Sequence, residues 1–228
     1  MTALYAIPAT LGGDPAAVLP PAVLDTIRGI RDFAVENAKS ARAFLKAVGM
    51  PCPLQELHIR EIGSDLSPFL AALGAQRAVG LLSEAGCPAI ADPGATLVSA
   101  AHAAGYRVVP LVGPSSLLLA LTASGLEGQR FAFCGYLPRE ASDRQARIRA
   151  LEQRSRREDE TEVFIETPYR NDALLAALLE TCAPTTRLCV ASDLTLPTEA
   201  VSTRPVAEWR RRTVEIGKRP TVFLLLAR

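Results

Sequence analysis

GLLSEAGCPAIADPG, spanning Gly80 to Gly94, runs from a buried strand through a bend shaped by glycine and proline toward a helix. A second segment, VVPLVGPSSLLLALTASGL from Val108 to Leu126, repeats that design. In open α/β sheets ligands lie beyond the carboxyl ends of strands, so the two segments together predict a ligand cleft. Neither carries GxGxxG, and G-x-x-x-x-G-K-[ST] occurs nowhere in the chain, which leaves a dinucleotide or ATP weakly supported.

Outward from these segments, short apolar runs alternate with helical patterns. Strands are predicted at Leu4–Ile7, Phe33–Val35, Ala78–Leu82 and Tyr106–Pro110. Helices are expected at 22–29, at Ala38–Val48 with Ala41, Leu45 and Val48 on one face and Gly49 as the stop, and at 64–76. Asp92-Pro93-Gly94 reads as a helix start, with Asp92 capping. Pro110, Gly113 and Pro114 interrupt the chain and divide it into domains over residues 1–111 and 112–228. The helix from Pro114 to Ser124 is almost wholly apolar and is expected to be buried on most sides.

Strands are expected in the second half at Arg130–Tyr136, Glu162–Glu166, Arg187–Ala191 and Thr221–Leu226. A helix begins near Ser142 with Gln145 completing a capping box, and another begins at Thr167-Pro168 with Thr167 as cap. Arginines 139, 144, 147, 149, 154, 156 and 157 crowd the first of these helices and its approaches, and Arg210–Arg212 flank Trp209. Both clusters could meet RNA phosphates. Glu158, Asp159 and Glu160 balance the first, which favours a solvated face.

Four segments compete as sites. Glu84 stands at a strand end where a carboxylate can pair with a positive group or accept from hydroxyls, and Gly86 permits close backbone approach. Ser115 and Ser116 open a helix where a phosphate, a carboxylate or an adenine edge could sit, or they merely cap its first turn. Pro8 to Gly13 is either a turn or a site, and Thr167 to Arg170 either meets a ligand or forms an ordinary cap and ion pair. Cys87 has no basic neighbour and makes a poor nucleophile. His58 and His102 stand far apart, and without G-x-S-x-G they form no hydrolytic triad.

The whole chain narrows the class. Its 228 residues are 49% hydrophobic and 21% charged, as in a compact globular protein. A net charge of +1 argues against a partner wrapped as duplex DNA. The five cysteines show no CxxC or zinc spacing, so no metal site is expected and the thiols read as reduced and cytoplasmic. No apolar stretch is long enough to span a membrane, and the N-terminus lacks the pattern of a signal peptide.

Five runs taken together resemble the tetrapyrrole methylase superfamily, and within it the ribosomal RNA small-subunit methyltransferase I group. They are YAIPATLGG at Tyr5–Gly13, LLSEAGCPAIADPG at Leu81–Gly94, VVPLVGPSSLLLALTASGL at Val108–Leu126, RFAFCGYLP at Arg130–Pro138 and FIETPYR at Phe164–Arg170. The resemblance implies two α/β domains, the first with a mostly parallel sheet and the second with a mixed one, holding S-adenosyl-L-methionine (SAM) in a cleft between them. It also implies a homodimer. Carried over residue by residue, it implies SAM contacts at Pro8, Glu84, Cys87, Ser115, Ser116 and Thr167, with backbone contacts near Leu194 and Pro220.

An RNA ribose acceptor would need a base, and Glu36 stands where the rRNA group has its acidic motif. That motif usually reads alanine-glutamate-aspartate-threonine-arginine, whereas this chain has Val35-Glu36-Asn37-Ala38-Lys39. It also has Gly12-Gly13 for glycine-asparagine, and Glu84 for aspartate. The resemblance therefore points first to RNA methylation, with 16S rRNA ribose 2′-O-methylation as its specific form. Methylation of a tetrapyrrole or another small molecule stands as an alternative, and so does a SAM-binding or protein-interaction module without catalysis.

Overall fold

The computed structural model describes residues 2–228, which divide into two compact units, the first ending at Ser115 and the second spanning Ser116–Arg228. The division falls a few residues later than the proline and glycine pattern suggests. The physical reason is that 111–115 remains tied to the first unit: Leu111 N–H donates to Ala6 at 2.9 Å, and the Pro114 carbonyl faces the Cys87 thiol.

In the first unit β1 (Leu4–Ile7), α1 (Pro15–Val18), α2 (Pro21–Arg28), β2 (Asp32–Val35), α3 (Ala38–Val48), β3 (His58–Glu61), α4 (Ser67–Gly74), β4 (Val79–Leu82), α5 (Ala95–Ala103) and β5 (Val108–Pro110) follow one another. The strands form one sheet in the order β3-β2-β4-β1-β5, and every pairing is parallel. Parallel strands need crossovers, and a right-handed crossover puts its helix on a face set by its direction. Accordingly α2 and α3 cover one face, with Ile27, Leu45 and Val48 packed on Ile7 and Phe33. The other face meets α4 and α5, through Phe69, Leu73, Leu97 and Ala101 on Leu4, Val79 and Leu81.

The second unit runs α6 (Ser116–Ser124), β6 (Phe131–Tyr136), α7 (Ala141–Glu158), β7 (Thr161–Ile165), α8 (Asn171–Thr181), β8 (Arg187–Ser192), β9 (Ala200–Pro205), α9 (Val206–Trp209) and β10 (Thr221–Leu226). Its sheet is mixed, in the order β6-β7-β10-β8-β9, with β6 and β7 parallel and the other pairings antiparallel. The strongly apolar β10 lies at its centre, buried along its whole length. Phe223 stacks on Phe164 with ring centroids 6.0 Å apart and joins Ile148, Leu151, Leu174, Leu178 and Trp209 in one core. A bulge between Phe133 and Tyr136 breaks the register of edge strand β6.

Several local expectations are overturned. Two strands, β3 and β9, were not foreseen, since HIRE and AVSTRP lack the apolar content of a core strand. The helix at α6 is not buried on most sides: Ala120, Leu121 and Ser124 are buried, but Leu118 is 54% exposed. Ser142 and Gln145 form no capping box; α7 begins at Ala141, and Gln145 reaches Glu180 instead. Arg154 is not part of a solvated face. It pairs with Glu162, whose side chain is 0% exposed, and lies 3.4 Å from Glu160. Among the described residues no helix is long and apolar enough to cross a membrane.

Candidate functional site

Parallel register fixes which residues of the first unit meet. Ile7 and Val35 both pair with Leu82, and Ala6 pairs with Pro110. The next residues, Pro8, Glu36, Ser83 and Leu111, therefore emerge together at the carboxyl end of the sheet. The loops they begin are tied to one another. Ala9 N–H donates to the Gly86 carbonyl at 2.8 Å, and Glu84 N–H donates to Glu36 Oε2 at 3.1 Å. The Cys87 thiol donates to the Pro114 carbonyl at 3.6 Å, and burial raises its pKa, so it is a packing group rather than a thiolate. Gly113 is required by the close approach here: a Cβ on it would lie 2.2 Å from Pro8 Cγ.

Asn37 gives the departure in the acidic motif a structural role. It is the N-cap of α3, its Oδ1 accepting from Lys39 N–H at 2.9 Å and Ser40 N–H at 3.2 Å. Glu61, at the end of β3, accepts from Ala38 N–H at 2.8 Å and completes the first turn. An aspartate could serve the same cap, so Asn37 keeps the geometry while removing a charge beside Glu36.

The 83–94 loop differs from its expected form. Asp92 does not cap a helix; α5 starts at Ala95 with Gly94 as N-cap and no side-chain cap bond. Ala89 and Ala91 both have φ of 65°, a left-handed conformation that costs an alanine energy and marks a loop held in shape by its surroundings. Asp92 instead turns to the strand ends. Its pKa is raised first by burial and then by repulsion from Glu36, with Glu84 adding to this and a Ser83 hydrogen bond opposing it. The strand end is thus electronegative, and Asp92 reports it.

This carries a stability prediction. A carboxyl whose folded pKa lies above its unfolded value binds a proton more tightly in the native state. Its ionisation therefore costs stability above the folded pKa, and that cost is relieved as pH falls from there toward the ordinary aspartate value of 3.8. Asp92→Asn should stabilise the chain at neutral pH, and its advantage over wild type should shrink as acid protonates Asp92. Urea midpoints for both proteins between pH 4 and 7 check this; an advantage that grows with acid would contradict it.

In the second unit, Ile165 pairs with Val222 and Ser192 with Thr221, so Thr167, Asp193 and Pro220 share one end of the sheet. Thr167 holds the N-cap position of the turn that follows but makes no side-chain cap bond. Its N–H donates to Glu166 Oε1 at 2.7 Å, and Arg170 lies 2.8 Å from the buried Glu166 Oε2. The turn 168–170 is a 3-10 helix, and α8 begins only at Asn171.

Leu194 lies between Asp193 and Thr195, at φ of 53° and 72°. Their N–H groups donate to Pro220 and Glu199 respectively. Leu194 is itself buried. Burial works to raise the Asp193 pKa, but hydrogen bonds from Arg219, at 2.7 Å, and Thr198 outweigh it and hold the carboxyl low. Asn171 secures the approach to β10 by donating to the Gly217 and Arg219 carbonyls. Ser115 closes the first unit, and Ser116 opens α6 in the second.

Each unit therefore gathers its own expected contacts. Pro8, Glu36, Glu84 and Cys87 converge in the first, and Thr167, Leu194 and Pro220 share a sheet end in the second. Ser83, the Asn37 cap, and Asp92 as a member of the acidic end are not among the residues expected from the sequence. Only Asn37, a capping residue type placed directly before a helical pattern, had a local sequence signature.

Comparison with known proteins places these features. The family model for tetrapyrrole (corrin/porphyrin) methylases matches residues 36–209. A ribosomal RNA small subunit methyltransferase I of Pseudomonas aeruginosa is 33% identical over 190 residues, covering 83% of this chain and 66% of that protein. The protein of the same name from Escherichia coli O157:H7 is 30% identical over 205 residues, covering 90% of this chain and 70% of that one. The chain thus spans about two thirds of the length of these curated relatives. Among solved structures, the methyltransferase CobJ aligns with a TM-score of 0.63 at 21% identity, over 100% of this chain and 95% of that one. A diphthine synthase aligns with a TM-score of 0.66 at 16% identity, over 98% and 89%. With a family match over most of its length, and with strand ends that carry the family's motifs, the chain belongs to the tetrapyrrole (corrin/porphyrin) methylases.

Proposed function

We propose that the chain is a SAM-dependent methyltransferase acting on RNA, with the ribose 2′-hydroxyl of 16S rRNA as acceptor. The observation that carries this reading is the Glu36 carboxylate, fixed at the sheet's carboxyl end by the Glu84 N–H at 3.1 Å. Its other oxygen has no partner among the described residues and is available to accept a hydroxyl proton. The names of the rRNA methyltransferase relatives support RNA as the acceptor class.

The residues fit the cofactor. SAM when bound supplies a methyl carbon made electrophilic by a sulfonium, and a cationic ligand suits an end where Glu36 and Glu84 already raise the pKa of Asp92. Pro8, Glu84, Cys87 and Ser115 would hold it from the first unit. From the second, Ser116 and Thr167 would contribute side chains, and Leu194 and Pro220 their main chains. These residues bind and orient, while Glu36 takes the proton as the acceptor oxygen reacts. The reading carries with it a cytoplasmic location and the homodimer implied by the family, for which the exposed Phe131 and Tyr136 offer apolar surface.

Calorimetric titration with SAM should show saturable binding, and labelled SAM should transfer its methyl to small-subunit RNA. Glu36→Ala should leave SAM affinity within a few-fold and lower transfer by about 100-fold or more. Silence in the titration at millimolar SAM sinks the methyltransferase reading. Undiminished transfer by the variant removes Glu36 from the chemistry.

A further inference from the structure

At the opposite, amino end of the first sheet, Asp32 and His58 begin neighbouring strands and pair in register, with Ala34 opposite Arg60. The two-residue period of a strand puts Asp32, His58 and Arg60 on the face covered by α4. There they line a cavity of about 160 Å³ with Pro68, Phe69 and Arg77. Its one carboxylate is nearly buried, the Asp32 side chain being 10% exposed. Asp32 Oδ1 lies 3.0 Å from His58 Nδ1, and Oδ2 lies 3.3 Å from Arg77 Nε.

The charge does not balance. His58 and Arg77 remain 56% and 52% exposed above the carboxylate that anchors them. Arg60 has no acidic partner among the described residues. One buried negative charge thus underlies two arginines and a histidine turned to a single concavity. A guanidinium offers several donors, and the Arg77 contact to Asp32 is made through Nε, which leaves its terminal nitrogens for another acceptor. We propose that this cavity binds a phosphate group, with Arg60 and Arg77 as the principal donors, His58 as a third when its ring is protonated on both nitrogens, and Asp32 as a positioning residue.

Two sources share that chemistry, free phosphate and a phosphodiester of an RNA strand. β2 is four residues long, which separates Asp32 from Glu36 by about 13 Å, so an RNA phosphate here would belong to a nucleotide removed from the acceptor. Binding of inorganic phosphate does not depend on the methyltransferase reading, so the two proposals can fail separately.

The chain has two histidines, which makes their ring proton resonances direct probes. Titration with inorganic phosphate, at fixed pH and ionic strength, should shift His58 saturably and leave His102 unmoved. Arg60→Gln, which breaks no side-chain hydrogen bond or ion pair among the described residues, should weaken that binding roughly tenfold. A second arm follows binding of a single-stranded RNA oligonucleotide against salt. A loss of about 0.7 from the salt slope in Arg60→Gln assigns the cavity to a phosphodiester, and an unchanged slope assigns it to free phosphate. A His58 response that fails to saturate, that chloride reproduces, or that survives Arg60→Gln undiminished overturns the proposal.

Discussion

Arg154→Ala should destabilise the second unit by about 3 kcal/mol, because it strands a buried carboxylate. Glu162 lies on β7 with its side chain 0% exposed, beneath α7. Arg154 Nε donates to Glu162 Oε1 at 2.6 Å, and Nη2 meets the other oxygen. The Cys134 thiol also donates to Glu162 Oε2, at 3.1 Å, and burial together with that carboxylate pushes its pKa up to about 11. A neutral thiol cannot replace the guanidinium. Because Arg154 is 33% exposed, water can enter part of the vacated space, which places the loss at the low end of the range for broken buried pairs.

Trp209 makes the measurement simple. It is the chain's one tryptophan, it is buried in the second unit, and its Nε1–H donates to the Leu188 carbonyl. Its fluorescence in urea should show the full loss in Arg154→Ala. Arg154→Met combined with Glu162→Leu should recover most of it, since an apolar pair needs no charge compensation. A loss below about 1 kcal/mol, the scale of a surface ion pair, would refute the buried-pair account.

Gly113→Ala should weaken SAM binding at least tenfold while the chain remains folded. The added Cβ would meet Pro8 Cγ at 2.2 Å, Pro8 Cβ at 2.5 Å and Leu19 Cδ2 at 2.9 Å. A flexible side-chain tip could move aside, but a proline ring at a strand end is fixed to its backbone. Relief must come from parting the loops that follow β1 and β5, at an overpacking cost of roughly 1–3 kcal/mol. Pro8 and Ser115 are proposed contacts on those two loops, so the same displacement misplaces both. Calorimetry should show SAM affinity reduced by at least tenfold, with circular dichroism unchanged. Native affinity in the variant would show that the Pro8–Gly113 approach does not shape the site.

The strand–loop–helix design around Ser83 to Gly94, and the β–α alternation that makes the first sheet parallel, were legible because they rest on local apolar periodicity and on glycine and proline placement. The edge strands were not. β3 reads His-Ile-Arg-Glu and is exposed over most of its length, so no apolar run announces it. Capping was misread at Asp92 and Thr167 for a related reason. Both residue types favour helix starts, but other partners took the side-chain bonds, Ser83 across the loop for Asp92 and the adjacent Glu166 for the Thr167 hydroxyl. The link between Glu36 and the Glu84 N–H crosses 48 residues and exists only through strand register, which one sequence does not print.

Taken together, the four sheet edges bear on how this chain avoids sticking to itself. An open strand edge invites a neighbour's backbone, and each edge here is closed to that in a different way. β3 carries His58, Arg60 and Glu61; β9 ends in Arg204 and Pro205; β5 is three residues long and finishes at Pro110. β6 is the most apolar of the four, and its bulge between Phe133 and Tyr136 interrupts the ladder a second chain would need. Association through β6 would therefore join side chains such as Phe131 and Tyr136 rather than extend a sheet. Such a contact lacks the continuous backbone ladder by which an open edge adds strand after strand.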